Sequence, residues 1–463
     1  MDVDVSIENI IKLETVQKDE IIEHNKIKLV EKHIIKPTHE LYKAIDDLCF
    51  KCRMLRNKAN FIIRQNFFST KNHKFLDYNF IDKLFKRHED LEVLYRNIPR
   101  ATIAQQCLRQ LNTEWTSFFK SVKAYDKDPS KYTGRPKPPK YKKNKDTYIA
   151  ILLPQEFEQT DKYIEFPNYL NNYKISYCNK GKLKQVRFIP CSNKVYKIEL
   201  VFECELIDVL ADNDRYLCID LGVDNFATIT TNVGTYPILL NGKGLKSINQ
   251  YYNKTMSDKK SILPFYKNGK QHSTSKLIER LYTNRNNKIS SYMHTLSRFV
   301  VEYAETNNIN TIIIGYNKGW KQYSNMNKVS NQNFQQISFL TFVQQIEYKA
   351  KLKGISVERI TEAYSSGTSF LDKEPLTKKY YNKSRRIKRG LFKTNTGILI
   401  NADVNASYQI MKKYLQKLNK SYVIEDLQNM LSNNIFYALS PVKVSVNCNT
   451  SVSQLITFIK NLY

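Results

Sequence analysis

The stretch "RYLCIDLGVDNFATITTNVGTYPILLNG", residues 215–242, decides the fold of the second half of the chain. Short apolar runs alternate in it with Gly, Asn and Asp, and this pattern predicts three successive strands joined by tight turns. A long helical pattern follows, and then a β-branched strand at 310–315, a helix at about 333–353 and a strand at 355–360. The last periodic segment, residues 399–417, again predicts a helix.

Two acidic residues lie at the ends of these predicted elements. Asp220 ends the first strand, and Asp403 lies at the start of the last helix. Three antiparallel strands followed by alternating helices and strands is the element order of a ribonuclease H-like fold. Carboxylates that converge within about 4 Å of two metal ions can hold hard divalent cations and activate water. Taken singly, Asp220 is also typical of a turn and Asp403 of a helix N-cap.

The strand at 310–315 ends in a glycine, Gly315. In an open α/β sheet the chemistry usually lies at the carboxyl ends of the strands, so a carboxylate is expected there. A further acid of a two-metal site must therefore come from another part of the chain.

The first half of the chain has other elements. Residues 27–36 predict a strand, and apolar residues at three- and four-residue spacing predict helices from Glu40 to about Tyr125. Short strands between 147 and 208 predict a small β domain, which the strand at 27–36 would complete. The helices would then be an insertion into this β domain. We therefore expect a multidomain protein of the α/β and α+β classes.

The chain is strongly basic, with 73 Lys and Arg against 44 Asp and Glu and a formal net charge of +29. Counterion release would hold such a chain near polyanions, which makes nucleic acid the leading partner. An anionic membrane is the alternative, but the charges are spread along the chain and no lipidation motif is present. No apolar run has the length of a membrane span, and the start lacks a signal-peptide pattern. We expect an intracellular protein with no membrane partner.

Two basic segments lack acidic residues. Residues 131–145 carry seven cations among prolines, which keep the segment extended, and it is either a solvated linker or, as we favour, a clamp along a phosphate backbone. Residues 378–393 carry eight cations with three aromatic residues and are expected to steer a DNA strand. The candidate contacts in these segments are Lys131, Arg135, Lys137, Lys140, Lys142, Lys143, Arg385, Arg386 and Arg389. The loop after Gly315 adds Lys318, Trp320 and Lys321, of which Trp320 either stacks on a base or plugs the domain.

Six blocks of the second half occur in an order that resembles a known family. They are "IDLGVDNFATI", "IIIGYNKGWKQ", "NQNFQQISF", "YSSGTSFLD", "RIKRGLF" and "GILINADVNASYQIMKK". Together with "KYTGRPKPPKYKK" and "RNKANFIIRQNFF" upstream, they resemble the transposon-encoded TnpB proteins (the OrfB transposase family) over about residues 30–417. TnpB proteins are RNA-guided DNA endonucleases, similar to type V CRISPR effectors and to the Fanzor proteins of eukaryotes and their viruses. The resemblance implies a monomer that binds a guide RNA and double-stranded target DNA.

The resemblance also implies an architecture of a β-barrel wedge domain, an inserted helical recognition domain and a RuvC-like, ribonuclease H-like nuclease domain. The expected segments are an N-terminal segment with the first wedge strand, the recognition domain, the wedge domain with its basic linker, the nuclease domain and a C-terminal tail; their bounds are 1–39, 40–127, 128–212, 213–445 and 446–463. Within the nuclease domain, 364–400 would be a basic lid loop. In the recognition domain, Arg53, Arg56 and Arg64 would contact the guide duplex through its backbone.

The family's metal ligands carry over one position at a time. The first acid maps to Asp220 and the third to Asp403, whereas the second acid of many relatives falls on Gly315. A subset that includes Fanzor-like members has a relocated Glu just after the fifth strand, and in this chain that residue is Glu362. Glu358 is a poorer candidate because it lies within the strand. The resemblance thus implies two Mg²⁺ ions held by Asp220, Glu362 and Asp403 as catalytic residues.

Zinc is not expected, although many relatives carry a four-cysteine ribbon between the second and third nuclease blocks. Between Tyr364 and Gly397 this chain has neither Cys nor His. Cys49 and Cys52 are a single pair within a predicted helix, which is too few ligands for a structural zinc site. The loop must then be held by packing or ordered by nucleic acid.

Two other functions remain open from the sequence. A nuclease-dead, RNA-guided repressor of the same family would lack a complete set of acids, and this chain keeps a complete candidate set. A DNA-strand transferase in transposition could use the same three acids, but the guide-RNA architecture of the family disfavours it.

Overall fold

The computed structural model describes residues 25–69, 75–143, 147–178, 181–191, 194–265, 274–317, 319, 328–388, 390–446 and 451–461. The chain divides into two units, Met1–Glu205 and Leu206–Tyr463. The division lies near Asp214, where the sequence predicts a change of element type. The finer domain boundaries given above stay predictions.

The first unit begins with a strand, β1 (Lys26–Ile35), and continues with four helices. The helices are α1 (Tyr42–Ser69), α2 (Tyr78–Arg87), α3 (Glu89–Arg96) and α4 (Ala101–Lys127). Their apolar faces meet in a core that includes Trp115, which is fully buried and donates its indole N–H to Oδ1 of Asn60 at 3.0 Å. The predictions of a strand at 27–36 and of helices to about Tyr125 are therefore confirmed.

The β part of the first unit consists of two open sheets. One is antiparallel, in the order β1–β7–β6–β2, and the other has the order β3–β4–β5. The strands are β2 (Ala150–Leu152), β3 (Glu158–Gln159), β4 (Tyr163–Glu165), β5 (Lys174–Ser176), β6 (Lys182–Cys191) and β7 (Val195–Glu205). The predicted β-barrel is not found, because among the described residues the edge strands β1 and β2 do not pair with each other or with β3–β5. Four of these seven strands, β2 to β5, have only two or three residues.

The second unit is built on a mixed six-stranded sheet. Its strands are β8 (Tyr216–Leu221), β9 (Asn225–Thr231), β10 (Ile238–Asn241), β11 (Thr311–Gly315), β12 (Ser356–Ile360) and β15 (Val442–Val444), in the order β12–β11–β8–β9–β10–β15. The first three strands form an antiparallel meander, and β11 and β12 extend the sheet in parallel with β8. A separate hairpin pairs β13 (Leu391–Lys393) with β14 (Leu399–Asn401). The three strands predicted over 215–242 are confirmed.

Helices cover both faces of this sheet. They are α5 (Lys243–Ser261), α6 (Lys276–Thr306), α7 (Lys328–Gln336), α8 (Phe339–Lys351), α9 (Ala402–Lys417), α10 (Ser421–Asn433), α11 (Phe436–Leu439) and α12 (Val452–Lys460). The helix predicted at 333–353 is divided into α7 and α8, because Ser338 leaves the helical conformation with φ −87° and ψ 69°. In the described part of the chain, no helix has the length and apolar character that crossing a membrane requires.

Side chains alternate between the two faces, and this alternation places the candidate acids. Leu217 and Ile219 of β8 join the core beneath α6 and α8, whereas Tyr216 and Cys218 join the core beneath α9. Because successive strand residues point to opposite faces, Asp220 lies on the α9 face. By the same rule Gly315 shares this face with Ile313 of β11.

Candidate functional site

Asp220 lies at the carboxyl end of β8, the first strand of the meander and an inner strand of the sheet. Burial raises the pKa of its carboxyl well above the usual value, and the negative charges of Glu362 and Asp403 raise it further, while the positive charge of Arg386 opposes them. These interactions show that the structure brings the three predicted acids into one electrostatic neighbourhood.

Glu362 lies two residues beyond the end of β12, next to the end of β11. In the β11–β12 register Gly315 lies opposite Ile360, and the N–H of Tyr316 donates to the carbonyl of Ile360 at 2.8 Å. The ends of the two strands are therefore still hydrogen-bonded to each other. A Cβ added to Gly315 would lie 2.8 Å from Oε1 and 2.9 Å from Cγ of Glu362. The Glu362 carboxyl group therefore occupies the space that a side chain at the end of β11 would use.

The Glu362 carboxylate is partly satisfied. Its Oε2 accepts a hydrogen bond from Nδ2 of Asn317 at 3.1 Å, whereas its Oε1 is buried and has no hydrogen-bond partner among the described residues. Burial raises the pKa of Glu362 to about 7. A buried carboxylate oxygen without a donor is costly, and a bound cation is one way to satisfy it.

Asp403 is the second residue of α9, and its carboxylate does not cap the helix. The side chain of Asn401 is the cap, because its Oδ1 accepts from the backbone N–H groups of Asp403 and Val404. The carboxylate of Asp403 is thus free to point away from the helix end, where it accepts from Nδ2 of Asn225 at 2.8 Å and from Arg386 at 3.2 Å. The N-cap explanation of Asp403 is therefore wrong.

The three acids supply the oxygen ligands that Mg²⁺ prefers, and the unpartnered Oε1 of Glu362 fits a cation. As the side chains stand, no three His, Cys, Asp or Glu residues of the described ranges form a group that could hold a metal ion. Arg386 and Asn225 each contact one oxygen of the Asp403 carboxylate, so a cation bound there would share that carboxylate with both partners or displace one of them.

A cleft of about 680 Å³ opens beside Asp403. Three cations lie on its walls: Arg386, Lys388 and Lys443. Asp220 and Glu362 are not among its lining residues. The positive charge of its walls favours binding of an anionic polymer beside Asp403.

The segment 361–400 is held by a buried ion cluster around Arg385. The Arg385 guanidinium donates to both carboxylate oxygens of Glu374 at 2.7 and 2.8 Å, to Asp372 at 2.6 Å and to the carbonyl of Lys393 at 3.0 Å. The side chains of Arg385, Asp372 and Glu374 are only 12%, 7% and 9% exposed. Arg385 therefore cross-links this segment, and its guanidinium is already occupied by protein groups. This differs from the predicted role of Arg385 in steering DNA.

The extended basic segment of the first unit is held by α1. Arg53, Arg56, Asn57, Asn60 and Arg64 donate side-chain hydrogen bonds to carbonyl groups between Pro139 and Lys143. Arg53 and Arg56 are 5% and 1% exposed, and Arg56 also forms an ion pair with Glu114 at 2.6 Å. Their guanidinium groups are directed at the protein, so the structure does not place these two residues where the predicted contact with a guide duplex could occur.

The predicted cations of the extended segment lie on its outer side. Exposed side chains belong to Lys131, Arg135, Lys137, Lys140 and Lys143, and Lys142 is half-buried. Arg64 is half-buried beside Phe68 and Tyr141. The predictions for Lys318, Trp320, Lys321 and Arg389 fall outside the described residues.

Four residues of the site region were not predicted from the sequence. They are Asn225, Asn317, Asp372 and Glu374. Asp372 and Glu374 are the only acidic residues between Glu362 and Asp403, and two acids in so cationic a segment were a signal for an internal ion pair. Nothing in the local sequence distinguishes Asn225 and Asn317 from other asparagines.

Two family models match separate parts of the chain. A family model described as a probable transposase, OrfB_IS605, matches residues 200–321. A model described as the Cas12f1-like TNB domain matches residues 339–410. No curated protein matches the chain.

Solved structures of Cas12 complexes are similar to the chain at low sequence identity. A Cas12f1–sgRNA–target DNA complex is 13% identical, with a TM-score of 0.49, over 80% of this chain and 82% of that chain. A CRISPR-Cas12f ternary complex is also 13% identical, with a TM-score of 0.35, over 80% of this chain and 81% of that chain. A Cas12i1 R-loop complex is 8% identical, with a TM-score of 0.32, over 85% of this chain and 63% of that chain.

Proposed function

We propose that this chain is an RNA-guided DNA endonuclease of the TnpB type, with a RuvC-like site that uses two Mg²⁺ ions. Asp220, Glu362 and Asp403 would be the metal ligands and catalytic residues. Its partners would be a guide RNA and double-stranded target DNA, bound by a monomer. The relocated glutamate would place the chain with the Fanzor-like subset.

One observation carries this proposal. Three acids that are far apart in the sequence lie close enough for the charges of Glu362 and Asp403 to act on Asp220, at one end of a sheet in which β8, β11 and β12 are parallel, and Glu362 fills the space beside Gly315. A glutamate reaches this space from the neighbouring strand end because its side chain is one methylene longer than that of aspartate. Glu362, which follows β12, would thereby supply the carboxylate that position 315 lacks.

The chain's own residues have separate roles in the reaction. Burial raises the pKa of Asp220 and of Glu362, so their negative charge is costly without a counterion, and a divalent cation would supply that counterion in place of the protons. Arg386 contacts Asp403 at the cleft and would exchange this partner for a phosphate of the entering strand. When bound, two Mg²⁺ ions would polarise the scissile phosphate and lower the pKa of the attacking water.

The two family matches support the RNA-guided part of the proposal. They cover the strand that ends in Asp220 and the segment that contains both Glu362 and Asp403. The formal charge of +29 and the outward cations of the extended segment fit an RNA and DNA partner. Base pairing with the guide would supply sequence specificity, and the protein would read backbone shape.

The test is cleavage of target DNA by Glu362→Gln, which keeps the size of the side chain but removes its charge. We expect cleavage to fall by about 10²-fold or more, as for Asp220→Ala and Asp403→Ala, because the charge that balances the cations is lost. Binding of guide RNA and target DNA should persist in all three variants, since it depends on other surfaces. The measurement is single-turnover cleavage next to a filter-binding assay.

Glu358→Gln is the matched control, because Glu358 is an exposed acid on the same strand. It should cut at close to the wild-type rate. Loss of cleavage in Glu358→Gln with retention in Glu362→Gln would show that the wrong acid was assigned. A wild-type protein that binds guide and target but cuts in no divalent metal would favour a repressor, a function consistent with the lack of a ready-made metal group among the described side chains.

A further inference from the structure

Asn317 and Glu362 occupy matching positions beyond the last rung of the β11–β12 ladder. Gly315 pairs with Ile360, and both Asn317 and Glu362 lie two residues further along their strands. The Asn317 side chain makes two hydrogen bonds to Glu362: its Oδ1 accepts from the backbone N–H at 3.1 Å, and its Nδ2 donates to Oε2 at 3.1 Å. One carboxamide thus fixes both the main chain and the carboxylate of the same residue.

These two bonds determine which oxygen of Glu362 is free. Oε2 is used by Asn317, whereas Oε1 is buried and unpartnered among the described residues. Gly315 leaves room for this orientation, because a Cβ there would lie 2.8 Å from Oε1. The carboxylate is consequently held with a single unsatisfied oxygen, and its negative charge acts on Asp220.

Only a carboxamide can make both contacts. An aspartate at position 317 could accept from the backbone N–H of Glu362, but it has no N–H to donate to Oε2 and would add a negative charge beside three acids. An alanine would remove both bonds and leave Oε2 unpartnered as well. Asn317→Asp therefore removes the hydrogen-bond donor to Oε2 while it keeps the size of the side chain.

We propose that Asn317 is the positioning residue of Glu362 and holds Oε1 ready as a ligand for a divalent cation. This inference rests on the proposed function, because it assumes that Glu362 binds a cation. Groups that orient metal ligands commonly change metal affinity or activity by about 10- to 100-fold when they are removed.

The experiment measures Mn²⁺ binding to the protein without nucleic acid, by electron paramagnetic resonance, for Asn317→Asp, Asn317→Ala, Glu362→Gln and the double variant Asn317→Ala/Glu362→Gln. We expect each single variant to weaken Mn²⁺ binding by about tenfold or more. The double variant should bind no more weakly than Glu362→Gln, because Asn317 acts through Glu362. Cleavage at varied Mg²⁺ should need about tenfold more metal for half-maximal rate in the Asn317 variants.

Asn429→Asp is the matched control, since Asn429 is exposed on α10 and the substitution adds the same charge away from the site. It should leave Mn²⁺ binding unchanged. Unaltered Mn²⁺ binding in both Asn317 variants, together with loss of binding in Glu362→Gln, would refute the role of Asn317 and leave the proposed function intact. Wild-type Mn²⁺ binding and cleavage in Glu362→Gln would instead refute the proposed function. Thermal melting of each variant establishes whether it is folded. If Asn317→Ala does not fold, the test uses Asn317→Asp alone.

Discussion

At the scale of single residues, the last residue of β11 is a glycine, Gly315. Gly315 is enclosed by Glu362 on one side and by Cδ1 of Ile410, which lies 2.7 Å from the position of an added Cβ. Glycine is therefore required here for space rather than for backbone conformation. The requirement links two residues that are 47 positions apart in the chain.

Gly315→Ala should displace the Glu362 carboxylate, because two of the three closest atoms belong to that side chain. We expect cleavage to fall by about 10- to 100-fold and the free energy of unfolding to fall by about 1–3 kcal/mol, which is usual for overpacking. The measurements are single-turnover cleavage and urea unfolding. Gly134→Ala is the control, since a Cβ there meets nothing within 4 Å. A Gly315→Ala enzyme with normal rate would mean that Glu362 does not need its observed position.

The raised pKa of Glu362 gives a prediction for stability. Burial raises this pKa to about 7 from the usual 4.5, so the folded chain binds the proton more tightly than the unfolded chain. The resulting stabilisation is complete below about pH 4.5 and is lost as the pH rises through about 7. In a metal chelator at pH 8, Glu362→Gln should therefore be more stable than the wild type, by about 1–3 kcal/mol.

Urea unfolding at pH 5 and pH 8 measures this difference. It should be much smaller at pH 5, where the wild-type carboxyl is largely protonated, and Glu358→Gln should show no such dependence. A Glu362→Gln protein that is less stable than the wild type at pH 8 would indicate that the carboxylate is not strained by burial.

At the scale of elements, two segments without long helices or strands are ordered by hydrogen bonds to their main chains. The extended segment at 139–143 receives them from α1, and the segment at 361–400 receives them from Arg385 and Lys412. In the second segment the main-chain N–H of Asn395 also donates to Oδ2 of Asp372. Proline keeps the first segment from forming a ladder of its own, and the second has only the short β13–β14 hairpin. Side-chain donors of Arg and Lys and of Asn60 therefore satisfy main-chain carbonyl groups that would otherwise bond to a neighbouring strand.

Arg385→Met should loosen the segment at 361–400, because it leaves Asp372 and Glu374 as buried unpaired charges. Breaking a buried pair in this way costs about 3–5 kcal/mol. We expect faster cutting of this segment by trypsin and weaker DNA cleavage. Arg386→Met is the control for trypsin cutting alone, since it removes one neighbouring trypsin site but not the ion cluster. Equal resistance of the two variants would show that Arg385 does not order the segment.

The same assay tests the prediction that no zinc is needed. A zinc-selective chelator should leave both trypsin resistance and cleavage unchanged in the wild type, because the ion cluster contains neither Cys nor His, the ligands of structural zinc sites. Metal analysis that finds one zinc per chain would contradict this expectation.

At the scale of the whole molecule, the charge of +29 determines how the chain meets its partners. If the extended segment is a clamp, its cations contribute to a strong dependence of RNA binding on salt. With about 6 to 10 phosphate contacts, affinity should fall about 10³- to 10⁵-fold between 50 and 200 mM salt. The RNA that copurifies with the protein should have one defined sequence, and heterogeneous RNA would argue against a guide.

A triple variant of the segment, Arg135→Gln/Lys137→Gln/Lys140→Gln, should lower the slope of log affinity against log salt by about 2 to 3. The matched control, Lys351→Gln/Lys417→Gln/Lys460→Gln, removes the same charge from exposed sites on three other helices. It should change the slope less. Equal slopes in the two variants would mean that net charge, and not the extended segment, determines RNA binding.

The sequence by itself determined the order and type of most elements, because apolar periodicity and turn residues are local signals. It also determined the basic character of the chain and, through ordered motifs, the three candidate acids. It did not determine that the β part of the first unit stays open or that Arg53, Arg56 and Arg385 are buried. An arginine in a basic stretch has the same local pattern whether it faces solvent or a carbonyl.

Only the tertiary structure decided how the acids are held. Asn317 and Glu362 are 45 positions apart, Asn225 and Asp403 are 178 apart, and their contacts depend on strand register and helix placement. These contacts form because the ends of β11 and β12 and the start of α9 lie at the same edge of the sheet. Their placement decides which carboxylate oxygens of Glu362 and Asp403 accept hydrogen bonds and which do not. The local sequence does not contain these partners, because each one lies in a distant segment and reaches the acid only when the chain folds.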